Sequence, residues 1–265
     1  MPRNLAEIIG RHLAAAGMLM DDDPELALQH ARYARSKAAR VALVREAVGL
    51  TAYYAGEWAE ALSELRAARR MAGGPGHVAI MADCERALGR PERALEAVRE
   101  SQLLDLPHDE AIELKIVEAG ARRDLGQIDA SVVTLQVPEL DPNAGEPWTA
   151  RLCYAYADNL AAAGRAEEAI RWFLNAAQAD DDGETDAAER AIELSDPEAY
   201  QRMLESLEEQ SEQDEPPTET PTAAEDATPG ESEADESEQD EPVADQTVPG
   251  EPDAEEASEP VGERS

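Results

Sequence analysis

Apolar residues recur along this chain at three- and four-residue spacings, and small residues recur with them. The stretch GLTAYYAGEWAEALSELRAARR (Gly49–Arg70) shows both, with Gly49, Gly56 and Ala61 set among Trp58 and Leu65. Such spacing lays an apolar stripe along a helix. It persists to Tyr200, Met203, Leu204 and Leu207, and no run alternates with the two-residue period of a strand. Proline followed by an acid stands at three predicted helix starts: Pro24-Glu25, Pro91-Glu92 and Pro197-Glu198. Proline lacks the amide that would go unpaired there, and a carboxylate favours the positive end of the helix dipole. The chain reads as all-α as far as Gln210.

A longer period lies over the helical one. Aligned on Ala61, the residues Ala27, Ala94, Ser131 and Ala169 take the same place, at successive steps of 34, 33, 37 and 38. Twelve residues earlier stand Ala15, Gly49, Ala82, Ala119 and Ala157. Four residues later stand Ala31, Leu65, Val98, Leu135 and Phe173; seven later stand Ala34, Ala68, Ser101, Pro138 and Ala176. Gly56, Gly89, Gly126 and Gly164 mark a turn, with Asp22 in the first repeat. A period near 34 is that of a helix–turn–helix repeat. Small pairs such as Gly49 and Ala61 let two antiparallel helices approach closely. One pair cannot bury its apolar face alone, so pairs stack into a solenoid. Pro138 shortens the second helix of the fourth repeat, ahead of the irregular PELDPNAGEP.

On VGLTAYYAGEWAEALSELRAA (Val48–Ala68) and YADNLAAAGRAEEAIRWFLNAA (Tyr156–Ala177) the chain resembles the tetratricopeptide repeat (TPR) superfamily. The resemblance covers about Leu5 to Ala179 and implies a right-handed α-solenoid of about five repeats. A terminal pair, about Glu184–Leu194 and Pro197–Gln210, reads as its polar cap. The tyrosine common in the first helix of TPRs is replaced by Met18, Ala52, Glu85, Arg122 and Leu160. The resemblance also implies a concave groove lined by the first helices. Its equivalent positions are His12, Leu50, Tyr53 and Tyr54, followed by Asp83, Arg86, Arg123, Tyr154 and Asp158. Aromatic rings beside mixed charges suit an extended or helical peptide. The alternative for Tyr53 and Tyr54 is packing within the stack. Chaperone-binding TPRs hold a terminal carboxylate with a Lys/Asn clamp, and Lys37 and Lys115, the two lysines here, stand at neither clamp position.

Composition changes abruptly after Gln210. Residues 211–265 hold twenty acidic residues, one arginine, eight prolines and no aromatic residue, which predicts a disordered acidic tail. SEQDEP occurs in it twice, at Ser211–Pro216 and Ser237–Pro242. The domain reading is therefore a solenoid over 1–210 and a tail over 211–265. The net charge of −36 argues against nucleic acid and anionic membranes, since phosphate contacts need lysine or arginine. It favours a protein or peptide partner. Cys84 and Cys153 lie in helical patterns as core residues, and the N-terminus lacks a signal-peptide layout. No run reaches the roughly 20 apolar residues of a membrane span. These features predict a cytoplasmic protein.

The sequence predicts no catalytic residues, cofactor or metal site. GGPG (Gly73–Gly76) lacks the Lys-Ser/Thr of a nucleotide loop and reads as a turn. His12, His30, His77 and His108 share no ligand spacing, and Asp21–Asp23 and Asp180–Asp182 lack a calcium-loop pattern. One charge pattern does stand out. Arg32, Arg66 and Arg99 occupy one position in successive second helices, and Arg35 and Arg69 repeat another three residues on. Stacked about 10 Å apart, they would form a basic ladder on the second-helix face. The competing account is that bases late in a helix complement its dipole. The expected function is a non-catalytic interaction scaffold. The alternative is a regulator or chaperone of a basic partner that acts through the acidic tail.

Overall fold

Helix starts in this chain are set by stiffness and charge. The structure is a computed structural model that describes residues 3–202. In it α2 (Pro24–Ala38) begins on Pro24 directly after Asp23, whose carboxylate accepts the Leu26 amide at 3.0 Å. Pro91 opens α6 (Pro91–Ser101) in the same way. The remaining helices are α1 (Arg3–Met18), α3 (Ala42–Tyr54), α4 (Trp58–Ala72), α5 (Val78–Ala87), α7 (His108–Asp124), α8 (Ile128–Thr134), α9 (Thr149–Ala162), α10 (Ala166–Ala179) and α11 (Ala187–Ser195). A further helical stretch covers 197–202, and the described residues include no strand. The helices pack in consecutive pairs: α1 with α2, α3 with α4, α5 with α6, α7 with α8, and α9 with α10. Each pair then rests on the next, as α2 does on α3, α4 on α5, and α7 on α9.

Four of the five turns within pairs are the same structure. Gly56, Gly89, Gly126 and Gly164 have φ of 73°, 71°, 72° and 74°. Around Gly56 its own amide donates to Tyr53 O at 3.0 Å, and the Glu57 amide reaches back to Ala52 O at 2.8 Å. The other three glycines repeat both bonds. This double closure satisfies the last carbonyls of the first helix and needs a residue at positive φ, where glycine carries no Cβ penalty. The first pair has no such glycine. There α1 ends early and the Asp23 amide bonds Leu19 O at 2.8 Å. The register of α1 shifts by one residue as a result. Ala16 is buried where the repeat predicts Ala15, which is half-exposed.

Elsewhere the small-residue register holds. Ala27, Ala61, Ala94, Ser131 and Ala169 are all fully buried, as are Ala31, Leu135 and Phe173 four residues on. Gly49, Ala82, Ala119 and Ala157 face them from the first helices. At Gly49 the fit is closest to Leu65. A Cβ added there would lie 2.6 Å from Leu65 Cγ and Cδ2 and 3.1 Å from its backbone N. Pro138 breaks the pattern: α8 stops at Thr134, and Pro138 is exposed rather than stacked under the next pair.

The buried residues form two large clusters that meet at α7. Leu114, Val117 and Ala121 belong to the cluster of α1–α7, whereas Ile112 and Ala119 belong to that of α7–α11. A small third cluster of Ile9, Ala34, Ala38 and Val44 closes the N-terminal end. Cys84 and Cys153 are buried in different clusters and carry no disulfide. Burial raises their thiol pKa values to about 12 and about 11. Among the described residues no helix is long and apolar enough to cross a membrane.

The expected terminal pair is displaced at its start. Asp180 accepts the amides of Glu184 and Thr185, both at 2.8 Å, which holds this segment as a loop, so α11 starts at Ala187. The second member of the pair is helical over 197–202. Its remainder to Gln210 and the tail over 211–265 lie outside the described residues.

The glycines give opposite expectations. Gly10→Ala, with nothing within 4 Å of the new Cβ, should stabilise by about 1 kcal/mol through helix propensity. Gly49→Ala should destabilise by roughly 1–3 kcal/mol because overlap with buried Leu65 outweighs the same propensity gain. Gly49→Leu should be worse. Urea unfolding midpoints of the three variants decide the matter, and a wild-type midpoint for Gly49→Leu would refute the packing register.

Candidate functional site

Side chains of the first helices link one repeat to the next by a simple rule. The residue eight before each buried reference position reaches toward the residue eleven before it in the following repeat. Tyr53 Oη donates to Asp83 Oδ2 at 2.7 Å. Arg123 Nη1 donates to Asp158 Oδ2, and Arg190 of α11 approaches the other oxygen at 3.4 Å. Arg86 would meet the residue at position 120, which is Gly120. A Cβ there would lie 3.0 Å from the Arg86 guanidinium, so the cation rests on bare backbone and continues to Asp124 Oδ2 at 2.7 Å. It also donates to Asp83 Oδ1 at 2.7 Å. Burial and hydrogen bonding to Asp83 push the Tyr53 phenol well above its ordinary pKa. These side chains are therefore held before any ligand arrives.

Tyr53, Tyr54 and Asp83 share one cleft of about 360 Å³ with Glu110, Glu113 and Arg151. Tyr54 is 51% exposed, and Tyr53 meets it edge-to-face at 5.9 Å and Trp58 at 5.3 Å. Tyr53 thus packs in the stack while Tyr54 remains accessible. Arg86 and Asp124 line a neighbouring cleft beside Trp58. Leu50 packs on the first cluster. Tyr154 lies against Phe173 at 5.2 Å, at the α9–α11 end with Asp158. Burial, with a hydrogen bond to Asp186, raises the Tyr154 pKa. His12 is not with the others. Its ring turns to α2, with Nδ1 2.8 Å from His30 Nδ1 and the Tyr33 ring 4.1 Å away, because the shifted register of α1 carries it inward.

The sequence reading missed Glu110, Glu113 and Arg151. Arg151 donates to Glu113 Oε1 at 2.9 and 2.7 Å and to Glu184 Oε2 at 2.6 Å. A signal for the first pair was present, since Glu113 and Arg151 each stand eighteen residues before their reference positions. Glu110 accepts the Ala79 amide at 2.8 Å in the open first turn of α5. Nothing in the linear pattern announces that contact.

Three arginines of the expected basic ladder, Arg32, Arg35 and Arg66, form ion pairs to the following repeat. Arg32 and Arg35 both bind Glu60, and Arg35 and Arg45 both bind Glu64 at 2.8 Å. Arg66 binds Glu85 at 2.6 Å, with Arg90 at 3.4 Å from the same carboxylate. Arg99 donates to Leu95 O of its own helix, and Arg69 and Arg99 have no carboxylate partner among the described residues. Glu85 fills a core position at 1% exposure, where an unpaired charge would cost several kcal/mol, about 3–5. Its two arginines answer that requirement.

The remaining polar candidates have structural partners. Asp23 and Asp180 each accept backbone amides, and Gly73 closes α4 at φ 79°. No group of three or more metal-ligating side chains occurs among the described residues. No protein-family model matches the chain, and no curated protein matches it.

The ion pairs set an acid dependence. Hydrogen bonding from Arg32 holds the Glu60 carboxyl below its ordinary pKa. For Glu118, burial opposes the bonds from Lys115 and Arg122, and the net shift is also downward. A carboxyl lowered in the folded state contributes stability above its unfolded pKa and loses it as pH falls through the folded value. Urea stability should therefore decline as pH drops below the ordinary carboxylate range. Glu60→Gln should lower neutral-pH stability by about 1 kcal/mol and make the acid limb shallower. An acid limb identical to wild type would show that these pairs contribute nothing.

Proposed function

We propose that the chain is a TPR-like right-handed solenoid acting as a non-catalytic scaffold, and that the first-helix face forms its concave groove. The groove takes an extended or helical segment of a protein partner. The observation that carries this reading is the cleft of Tyr53, Tyr54 and Asp83. It joins an accessible aromatic ring to polar groups already fixed by bonds between repeats. Fixed side chains lose little entropy on binding, so more of the contact energy appears as affinity. Tyrosine is among the residues enriched at the energetic centres of protein interfaces. The net charge of −36 favours protein over nucleic acid or anionic membrane. The reading places the protein in the cytoplasm.

A photo-reactive amino acid at Tyr54 or Ile80 of the full chain tests this in the native cells. Val133, exposed on the second helix α8, serves as the control position. A discrete protein adduct from Tyr54 and Ile80, absent from Val133, is the expected result. Adducts from Val133 alone, or from none of the three, would overturn the groove reading.

A further inference from the structure

Charge in the Tyr54 cleft is unevenly balanced. Asp83 accepts from both Tyr53 and Arg86, and Glu113 is clamped by Arg151. Glu110 differs. It is half-buried, one oxygen accepts the Ala79 amide at 2.8 Å, and no ion-pair partner for it occurs among the described residues. The positive end of α5 steadies this carboxylate but supplies only about half a charge. Beside it the cleft presents apolar Ile80 and Val117 and the exposed Tyr54 ring.

We propose that this cleft receives a lysine or arginine side chain of the partner segment, an inference that rests on the groove reading above. The aliphatic stem lies along Tyr54, Ile80 and Val117 while the cation meets Glu110. A purely apolar guest would cover Glu110 and strip its water without a countercharge, which costs free energy. An acidic or phosphorylated guest would add repulsion from the unpaired Glu110 and the acidic chain as a whole. A cation beside an apolar surface is the one guest chemistry that answers both walls.

Glu110→Gln isolates the charge, because its amide oxygen still accepts the Ala79 N–H. A phage-displayed library of random twelve-residue peptides is selected on the full chain at physiological salt. Binders are then measured on the wild type and on Glu110→Gln, Tyr54→Ala and Glu96→Gln, the last an exposed acid of the second helix α6. Selected peptides should be enriched in lysine or arginine, weaken about tenfold on Glu110→Gln and on Tyr54→Ala, and be unchanged on Glu96→Gln. Binders that weaken on Tyr54→Ala but not on Glu110→Gln would overturn the cation site and leave the groove standing. Equal weakening on Glu110→Gln and Glu96→Gln would mean diffuse attraction to an acidic surface and would also overturn it. If no peptide is selected, or none responds to Tyr54→Ala, the groove reading falls as well.

Discussion

Close approach between paired helices is the constraint on which the rest of this structure depends. At the buried reference positions the second helix contributes alanine or serine, and in repeats two to five the first helix answers with glycine or alanine. Leu65 lying against Gly49 shows how little space is left. Four residues on, larger side chains such as Leu135 and Phe173 fill the space beside these close contacts. Stacking of neighbours adds to the burial within each pair and offsets chain entropy.

The same closeness decides where charges go. A repeat with a narrow body places a side chain of one pair within reach of the next, so cations cross the seams. Arg35 bridges Glu60 and Glu64, and Arg66 with Arg90 neutralises buried Glu85. On the other face Tyr53, Arg86 and Arg123 reach forward by one repeat. Such bonds contribute modestly to stability where solvent is near and more where the carboxylate is buried. Their larger effect is on shape, because each fixes the orientation of one pair against another. A chain with 59 acids and 23 bases can hold together this way because its cations stand at the seams.

Much of this was legible in the sequence, for definite reasons. Helical period, proline starts and glycine turns are local rules, and each is visible in the helices and turns observed. The reference alanines could be aligned because a repeat enforces the same sterics at each step. The misreadings occur where a local rule was interrupted. Without a turn glycine the first pair loses one residue of register, which exchanges Ala15 for Ala16 and turns His12 toward His30. Glu60 as a partner of Arg32 was not legible, because dipole complementarity within a helix and pairing between helices predict the same arrangement of charges. Glu110 was hidden for another reason: its partner is a backbone amide, which leaves no mark in the side-chain pattern.

At α7 the core divides, and the link from Arg86 changes its partner to Asp124. The faces of α7 belong to different core clusters, and Gly120 removes the side chain that would have continued the ladder from Arg86. Glu118, nearly buried, is satisfied by Lys115 and Arg122 of the same helix instead of by a neighbour. One ion pair, Arg86 to Asp124, crosses from α5 to α7, whereas those of Arg123 and Arg151 both cross between α7 and α9. The cleft of Tyr54 spans this place, with Tyr54 on the side of the first cluster and Arg151 on α9, beyond α7. Glu110, Glu113 and Val117 of α7 line the cleft between them, so the helix that carries both core clusters also carries much of the candidate site's lining.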